Sequence, residues 1–567
     1  MKRYLKKATF KSLLLKEWYG RWIRSWTIIS GFLALIWLIL RSGTKPNRLT
    51  YPCQQAALST ATMAFGIPFG AILFDIKRRV LATSRSAGVY LALCFGFVFA
   101  FSFGVFFFQI GCETDNDDHY NGPVLEPPPG YQAEVYHVTT CEADPVNERF
   151  AGLDRLLQSL GRAGHKFYDS TTTSAVSGAA GIIAPDDVVI IKINYQWPAR
   201  GGTNTDLLRG LIWNVVTHPD FFSGEVVVCE NTQSVSSGNF DRARNNAADQ
   251  HQSPLDVVTD FQNLGYSISL SDWRQFRRTE VEEYSQGDMA DGYVVYSENQ
   301  EINGRESYPK FQSDRGTFIS LRDGIWDDVT GSYDRAHLKF INVPVLKSHM
   351  VYGTTSCVKH YMGVVTDSLN TNSHNAIQFG GLGAVMAEIQ LADLNILDAI
   401  WVGAIPDHHP SFGYNESTRQ DMLLAGFDPV ALDYWAVKNI LLPAFAENGY
   451  PGPYPTADPD DQNSIFREYL DNSMSQILAA GYKVTNNPEK IDDFGWLNGD
   501  FQGDDLVDQD DYNLFSTCFT GPDGGPVDYN CLAADFDCDY DVDCEDWEQF
   551  KNAWTGATAI PEFDLCD

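Results

Sequence analysis

The stretch from Lys339 to Thr366, KFINVPVLKSHMVYGTTSCVKHYMGVVT, decides the fold of this chain and the place of its candidate chemistry. It opens with an apolar run of the kind that forms a buried strand. Lys347 and His349 follow, at the point where that strand is predicted to end. Polar side chains in this position lie at the edge of a sheet, where they can meet a ligand.

A short helix is predicted after Gly353, and it carries Lys359 and His360. The free backbone N–H groups at the start of such a helix suit a carboxylate or a phosphate. For any one lysine or histidine alone, solvation or an ordinary hydrogen bond is the favoured explanation. The whole cluster favours an anion-binding site.

Strand-like runs alternate with helical patterns around this stretch, which predicts an α/β fold with a mostly parallel sheet flanked by helices. The predicted strands are 134–138, 188–193, 225–229, 293–296, 339–345 and 395–401, and helical examples are 150–160, 205–216 and 429–441.

Further polar residues close two other predicted strands. Lys192 and Asn194 follow one strand and Glu230 ends another. In such sheets ligands bind beyond the carboxyl ends of the strands, so we group these residues with Lys347 and His349. The predicted roles are charge stabilisation by the lysines, proton transfer by His349, and orientation by Asn194 and Glu230. Whether the domain is an enzyme stays open.

Two other chemistries have weaker support. His349, His360 and His374, with Glu230 or Asp398, contain metal-ligand residue types, but their spacing matches no known ligand signature, so a metal in this domain stays an open question.

Cys357 lies near two histidines in sequence, yet a buried structural cysteine is the simpler interpretation. Asp428 and Asp433, on either side of a proline-led helix start, are predicted to be a helix N-cap and a first-turn acid with structural roles.

The segments VPVLKSH (343–349) and GTTSCVKHYMG (353–363) resemble the bacterial and archaeal family called domain of unknown function three-six-two. Other segments agree in the family's order, namely 188–194, 226–230, 397–400 and 424–433, so the resemblance covers about residues 131 to 445 of a domain predicted over 131–490. His360 stands where the family usually has Asn. The family has no settled reaction, so the resemblance implies a domain rather than an activity. Some relatives carry an iron–sulfur module, but this chain has no Cys-x-x-Cys, and no iron–sulfur cluster is expected.

The N-terminal region, residues 1–112, is predicted to be a membrane anchor. Its net charge is +13, whereas the whole chain carries −33, so the remaining residues carry −46. Uncharged apolar runs at about 26–40, 56–74 and 88–110 predict three transmembrane helices. Basic residues before the first run and between the last two predict a cytoplasmic N-terminus and an acidic body outside the cytoplasm. The alternative is that the middle run packs against the membrane surface without crossing, which would leave the body in the cytoplasm.

An acidic, Pro-rich linker is predicted over residues 113–130. The acidity of the body beyond it argues against a nucleic-acid partner. Five of the eleven cysteines fall in the last fifty residues, which predicts disulfides and an oxidising compartment.

The C-terminal part, 498–556, contains a repeat with a period of 35 residues, and each copy carries side chains typical of a calcium loop. The predicted calcium ligands are Asp500, Gln502, Asp504, Leu506, Asp508 and Asp511 in the first loop and Asp535, Asp537, Asp539, Asp541, Asp543 and Asp546 in the second. The pair resembles type I dockerin repeats, an EF-hand-like α module, which implies a cohesin-like or other docking protein as partner. Position six, usually Gly, is Asp505 in one loop and Tyr540 in the other, and Tyr540 is expected to be strained at positive φ.

Two functions follow as alternatives. In the first, a membrane-anchored α/β domain outside the cytoplasm binds an anionic small molecule, with chemical action on that molecule left open, and a calcium-binding dockerin-like C-terminal module docks to another protein. In the second, the chain is a non-catalytic, membrane-tethered scaffold or adhesion protein of the cell surface.

Overall fold

The computed structural model describes residues 125–140, 149–233, 240–242, 244–245 and 250–566. All of them belong to the second of the two compact units into which the chain divides, Tyr120–Asp567. The predicted membrane region 1–112, with its three spans, and residues 113–124 of the predicted linker lie outside the described residues. Within the described part, no helix combines the length and the apolar character that crossing a bilayer requires.

Strands and helices alternate along the first two thirds of the described chain, as predicted. The strands are β1 (Ala133–Thr139), β2 (Tyr168–Asp169), β3 (Ser177–Gly178), β4 (Val188–Lys192), β5 (Glu225–Glu230), β6 (Ile268–Asp272), β7 (Gly292–Val295), β8 (Ser307–Gln312), β9 (Phe318–Ser320), β10 (Gly324–Asp327), β11 (Ser332–Asp334), β12 (Leu338–Asn342), β13 (Val345–His349), β14 (Gly353–Thr355), β15 (Leu394–Gly403), β16 (Thr418–Gly426) and β17 (Ile491–Gly495). The helices are α1 (Ala151–Arg162), α2 (Thr205–Val216), α3 (Pro254–Asn263), α4 (Cys357–His360), α5 (Ser373–Ala376), α6 (Gly381–Glu388), α7 (Pro429–Ala436), α8 (Leu442–Glu447), α9 (Ile465–Ala479), α10 (Gln509–Cys518) and α11 (Cys544–Ala553).

One large mixed sheet organises the α/β domain. Its main path runs β17-β1-β16-β15-β12-β4-β5-β6, with β13 beside β15 and β14 beside β13. The pairs β15-β12, β12-β4, β4-β5 and β5-β6 are parallel. Strand β16 is antiparallel to both of its neighbours, β1 and β15. The α/β class with a large sheet and flanking helices is therefore confirmed.

The two faces of the sheet bury two separate cores, as the alternation of side chains along a strand requires. In β4, Val188 and Ile190 belong to the core that also contains α6, α7 and α9. Val189 and Ile191 belong to the core covered by α1, α2 and α3. The continuous apolar run of β4 is explained by this burial on both faces.

A second sheet was not predicted. Strands β7 to β11 form an antiparallel sheet in the order β11-β10-β9-β8-β7. All five strands come from the segment of the chain between β6 and β12. The run at Tyr293–Tyr296 was expected to join the parallel sheet, but it forms β7, which pairs antiparallel with β8. Strand propensity alone does not distinguish the two environments.

The predicted strand over Lys339–Val345 is divided in two. β12 ends at Asn342, and the chain pairs again only from Val345, in β13. Pro344 lies between them and has no N–H to continue a ladder, although its carbonyl accepts a hydrogen bond from the Asp398 N–H at 2.9 Å. The prediction that Lys347 and His349 follow the end of that strand is therefore wrong, because both lie within β13.

The C-terminal segment forms a small module with its own apolar core, which includes Phe515, Trp547 and Phe550 and also reaches Ala151 of α1. Disulfides join Cys518 to Cys531 and Cys544 to Cys566. Cys538 is disulfide-bonded as well. The disulfides predicted for this segment are therefore present.

Candidate functional site

Lys192 and Glu230 end the adjacent parallel strands β4 and β5, and they form a buried ion pair. The Lys192 Nζ lies 3.5 Å from Glu230 Oε1 and donates a hydrogen bond to the His360 carbonyl at 2.9 Å. Burial lowers the pKa of Lys192 to about 8, although Glu230 opposes this shift. The absence of a side chain at Gly363 makes room for the pair, because a Cβ there would lie 2.3 Å from the Lys192 Nζ.

Glu230 also holds the loop that follows β4. Its Oε2 accepts hydrogen bonds from the N–H groups of Tyr195 and Gln196, the second at 3.0 Å. Burial raises the pKa of Glu230, with Lys192 and these N–H groups acting in the opposite direction. These contacts fix the loop, and the predicted role of Glu230 in orienting a ligand stays a prediction.

Lys347 lies in the β13–β14 hairpin and is fully buried. Its Nζ donates a hydrogen bond to the Gly201 carbonyl at 2.6 Å. Burial lowers its pKa to about 7; Glu230 opposes this shift and Lys359 and Lys192 add to it. Thr355 pairs with Lys347 across the hairpin, so the two side chains lie on the same face.

Lys359 is the least satisfied of the three lysines. Its side chain is 7 % exposed, and its Nζ lies 5.1 Å from the centroid of the Tyr352 ring. Among the residues that the structure describes, this ammonium group has no hydrogen-bond partner. Burial lowers its pKa to about 7.

His349 is neutral and offers a proton. Its Nδ1 accepts hydrogen bonds from the N–H groups of Val351 and Tyr352 at 3.1 and 3.3 Å. Burial and nearby Lys359 lower the pKa of His349 well below its usual value. The single proton of the neutral ring is therefore on Nε2, where it can be donated.

His360 has the opposite tautomer. The Asn395 amide donates to the Gly426 carbonyl at 3.2 Å, so its Oδ1 is free to accept from the Asn342 amide at 2.9 Å. Asn342 Oδ1 must then accept a hydrogen bond from His360 Nδ1 at 2.7 Å, which places the ring proton on Nδ1. Burial lowers the pKa of His360 well below its usual value. The remaining nitrogen, Nε2, is buried and has no hydrogen-bond partner among the described residues. His360 thus presents an acceptor.

Other polar atoms of the same strands and loops are also buried without a partner in the described part of the chain. They are Asn194 Oδ1, Thr354 Oγ1 and Thr355 Oγ1. A buried polar group without a partner is costly, and a bound ligand is one common way to satisfy it. Of these, only Asn194 was predicted as a site residue. Asn342 was missed because the strand was predicted to run past it.

The N-terminus of α4 does not present free N–H groups at Cys357 and Val358. The Asp433 carboxylate accepts hydrogen bonds from the N–H groups of Cys357 and Val358 at 2.6 and 3.0 Å, so the first turn of α4 is already capped. The predicted contribution of free N–H groups is therefore wrong. The N-cap role predicted for Asp428 is confirmed, since its side chain accepts hydrogen bonds from the N–H groups of Val430 and Ala431 in α7. The prediction that Asp433 is a first-turn acid of the same helix is wrong, because Asp433 lies beyond the first turn; its structural role is instead to cap α4.

The histidine metal site is also not assembled. His374 is paired with Asp367, its Nδ1 lying 2.6 Å from Asp367 Oδ2, and Asp398 accepts N–H groups from Asn204 and Ile400. Among the described residues, the groups of metal-ligating side chains that converge do not include the three histidines. Cys357 is a buried free thiol whose pKa is raised well above its usual value, as suits a structural cysteine.

The second predicted calcium loop has converging oxygen ligands. Ligand atoms of Asp535, Asp537 and Asp539 lie within 4.8 Å of one another, and those of Asp541, Asp543 and Asp546 do the same. Asp541 Oδ1 is buried without a partner among the described residues. The donor set thus fits a hard cation such as Ca²⁺.

The first loop has the same backbone but a looser set of carboxylates. Asp500 accepts N–H groups from Gly503, Asp504 and Asp505, as Asp535 does from Cys538 and Tyr540 in the second loop. In the part of the chain that the structure describes, its carboxylates do not form a converging triad.

Fold and site together define an α/β domain with a buried cluster of lysines around the carboxyl ends of its parallel strands. Residues 329–438 match the model of the family described as "Domain of unknown function (DUF362)", which supports the family resemblance found in the sequence. The matched segment includes Lys347, His349, Lys359 and His360, and it leaves out Lys192, Asn194 and Glu230. Comparison with curated proteins gave no match, and neither did comparison with solved structures.

Proposed function

We propose that the α/β domain binds an anionic small molecule among Lys192, Lys347 and Lys359. One observation carries this proposal: three buried lysines share a single ion-paired carboxylate. Glu230 is paired with Lys192, whereas neither Lys347 nor Lys359 has a carboxylate within 4 Å among the described residues. Buried charges are stable when they are paired, so an anion would complete the cluster.

The two histidines would orient the anion in different ways. His349 would donate from Nε2 to an anionic oxygen, and this replaces the proton-transfer role expected for it from the sequence. His360 Nε2 would accept a proton or a hydrogen bond from the ligand. If the domain is catalytic, His360 is therefore the better candidate for a general base, and His349 for stabilising negative charge.

Lys347→Met tests this proposal. Because methionine removes a buried charge and keeps the apolar stem, we expect the stability without ligand to change by no more than about 1–2 kcal/mol. We expect sulfate and succinate to raise the melting temperature of the wild-type full chain and to have little effect on this variant. Calorimetric titration of the full chain with both anions measures the loss directly.

Lys438→Met is the matched control, because Lys438 is partly exposed and pairs with Asp460 at the surface. Equal anion binding by the wild type and Lys347→Met would refute the proposal. If neither anion binds to the wild type, the scaffold alternative replaces it.

We also infer that the C-terminal module binds calcium, with the second loop binding more tightly than the first. The ligand convergence in the second loop and the buried, unpartnered Asp541 oxygen support this order. Docking to a cohesin-like protein, anchoring by the three N-terminal spans and an extracytoplasmic position of the body stay predictions. The two disulfides fit such a position.

A further inference from the structure

A second group of polar residues lies at the amino ends of the parallel strands of the large sheet, opposite the carboxyl ends. Asp187 and His337 directly precede the neighbouring parallel strands β4 and β12, and the Val188 N–H donates to the His337 carbonyl at 2.8 Å. Lys192 lies at the far end of the same five-residue strand, ~13 Å away at a rise of about 3.3 Å per residue. This group is therefore separate from the lysine cluster.

His337 is oriented as a metal ligand would be. Its Nδ1 lies 2.7 Å from Asp334 Oδ2, and its backbone N–H donates to Asp334 Oδ1 at 3.2 Å. In metal sites a carboxylate commonly fixes the ligating histidine through its other nitrogen in this way. The free Nε2 faces Asp186, with 3.9 Å to its Oδ2.

Asp187 supplies an oxygen that no other group uses. Its side chain is fully buried, and Oδ2 accepts the Ala184 N–H at 2.7 Å. Oδ1 is buried without a hydrogen-bond partner among the described residues. The nearest cation is Lys339, whose Nζ is 3.9 Å from Oδ2, at the outer limit of an ion pair.

We propose that Asp186, Asp187 and His337 bind a first-row divalent cation, with Zn²⁺ as the preferred ion. Ligand atoms of the three residues lie within 4.8 Å of one another. One imidazole and two carboxylates suit Zn²⁺ or Mn²⁺ better than Mg²⁺, which prefers oxygen ligands and water. Asp186 and His337 are partly exposed, so water completes the coordination.

The ion would have a structural role. It joins the residues before β4 to those before β12, and these strands carry Lys192 and Asn342 at their other ends. Binding would stabilise the register of the two strands and leave the chemistry of the lysine cluster unchanged. The competing explanation is an ion cluster in which Lys339 and a protonated His337 neutralise the carboxylates without a metal.

The test is a Zn²⁺ titration of the full chain, with Ca²⁺ in excess to occupy the C-terminal loops. We expect His337→Ala and Asp187→Asn each to lose one equivalent of bound Zn²⁺ relative to the wild type. Asp334→Asn, which leaves the ligands in place, should weaken this site by about 10–100-fold, as loss of an outer-shell partner typically does. His337→Ala guards against a folding failure in Asp187→Asn, because the His337 side chain is 43 % exposed.

His374→Ala is the matched control, because His374 forms a similar surface pair with Asp367. We expect this variant to keep the wild-type stoichiometry and the increase in melting temperature that Zn²⁺ produces. The proposal is overturned if His337→Ala binds as many Zn²⁺ ions as the wild type. It is also overturned if Zn²⁺ raises the melting temperatures of His337→Ala and the control His374→Ala equally.

Discussion

The lysines of the site are buried charges whose titration reports on the ligand. With pKa values near 7 for Lys347 and Lys359 and near 8 for Lys192, the anion-free site loses its protons as the pH rises above neutrality. Under the proposed function, sulfate would bind to the charged lysines and keep its own charge. We expect its affinity to fall about tenfold per pH unit above pH 7 for each proton taken up on binding.

The stability of the anion-free protein should change in the opposite direction. Lysines in an unfolded chain titrate near ~10.4, so between pH 7 and 10 the unfolded chain binds more protons than the folded one. The folded state therefore gains stability as the pH rises through this range. Thermal unfolding without anion and calorimetry in buffers of different ionisation enthalpy measure the two effects. A pH-independent affinity without proton uptake would show that the lysines do not contact sulfate.

Position six of the two predicted calcium loops provides a matched pair of substitutions. Asp505 has φ 64° and is exposed, whereas Tyr540 has φ 66° and is 1 % exposed. The Tyr540 hydroxyl lies 3.3 Å from Asp154 Oδ2, and Arg149 covers its ring at 4.3 Å. The positive φ expected from the sequence is thus present, and the contacts with the α/β domain offset it.

We therefore expect the two glycine substitutions to have opposite effects. Asp505→Gly should stabilise the module by about 1 kcal/mol, because glycine adopts positive φ without strain. Tyr540→Gly should destabilise it by about 3–5 kcal/mol, the usual cost of removing a buried aromatic ring. Denaturant unfolding of the full chain with saturating Ca²⁺ measures both. Equal effects would mean that Tyr540 is not an anchor.

The sequence predicted the charged residues of the site better than their partners. Charged residues near strand ends can be recognised in the sequence as polar residues that follow apolar runs. Lys192 and Glu230 were found in this way. Asn342 is also such a residue, but the apolar run appeared to continue past Pro344. The carboxylate that caps α4 could not be found by spacing, because Asp433 and Cys357 become neighbours only in the fold.

Helix α1 is the element that joins the C-terminal module to the α/β domain. Arg155, 2 % exposed, donates to the Asp535 carbonyl, and Arg162 donates to the Asp500 carbonyl at 3.1 Å. The two arginines are seven residues apart, two turns of the helix, so they lie on one face. Each contacts the first residue of one calcium loop.

Arg155→Met should loosen this contact. Loss of a buried, charged donor leaves the Asp535 carbonyl without its partner, which typically costs about 1–3 kcal/mol. We expect faster proteolysis in the connection around Trp496 to Asn498 and weaker calcium binding by the second loop. Arg419→Met, which removes a half-exposed arginine on β16, is the control and should leave both unchanged. Identical cleavage rates in the two variants would contradict the role given to Arg155.

Strands and helices of the large sheet were predictable because each apolar run is buried on both sides. The runs at β1, β4, β5 and β15 appear within a few residues of their predicted positions. The antiparallel sheet from β7 to β11 was not predictable in this way, because its strands are short and half-buried and are separated by closely spaced turns. Which sheet a strand joins depends on contacts that local pattern does not contain.

The disulfides make the C-terminal module sensitive to reduction as a whole. Cys518–Cys531 and Cys544–Cys566 close loops with sequence separations of 13 and 22 residues. Each contributes about 3 kcal/mol by restricting the unfolded chain. We expect reduction of the full chain to lower the melting temperature of the module and to leave sulfate binding unchanged.

Cys544→Ser with Cys566→Ser should reproduce part of this shift without a reductant. The free thiols of Cys229 and Cys357 are buried, so we expect them to react more slowly with an alkylating reagent than the thiols released by reduction. Mass spectrometry after alkylation measures this difference. Loss of sulfate binding on reduction would show instead that the two parts unfold as one unit.

Strand β1 lies between two strands from the end of the α/β domain. Tyr136 is paired with Ala425 in β16 and with Phe494 in β17. Among the described residues, β1 therefore has no strand partner until β16 has been synthesised, almost 300 residues later, and such long-range pairing is slow. If the chain crosses a membrane with its N-terminal part first, β1 would stay unpaired until β16 and β17 follow, and its folding would depend on protection from aggregation during that time.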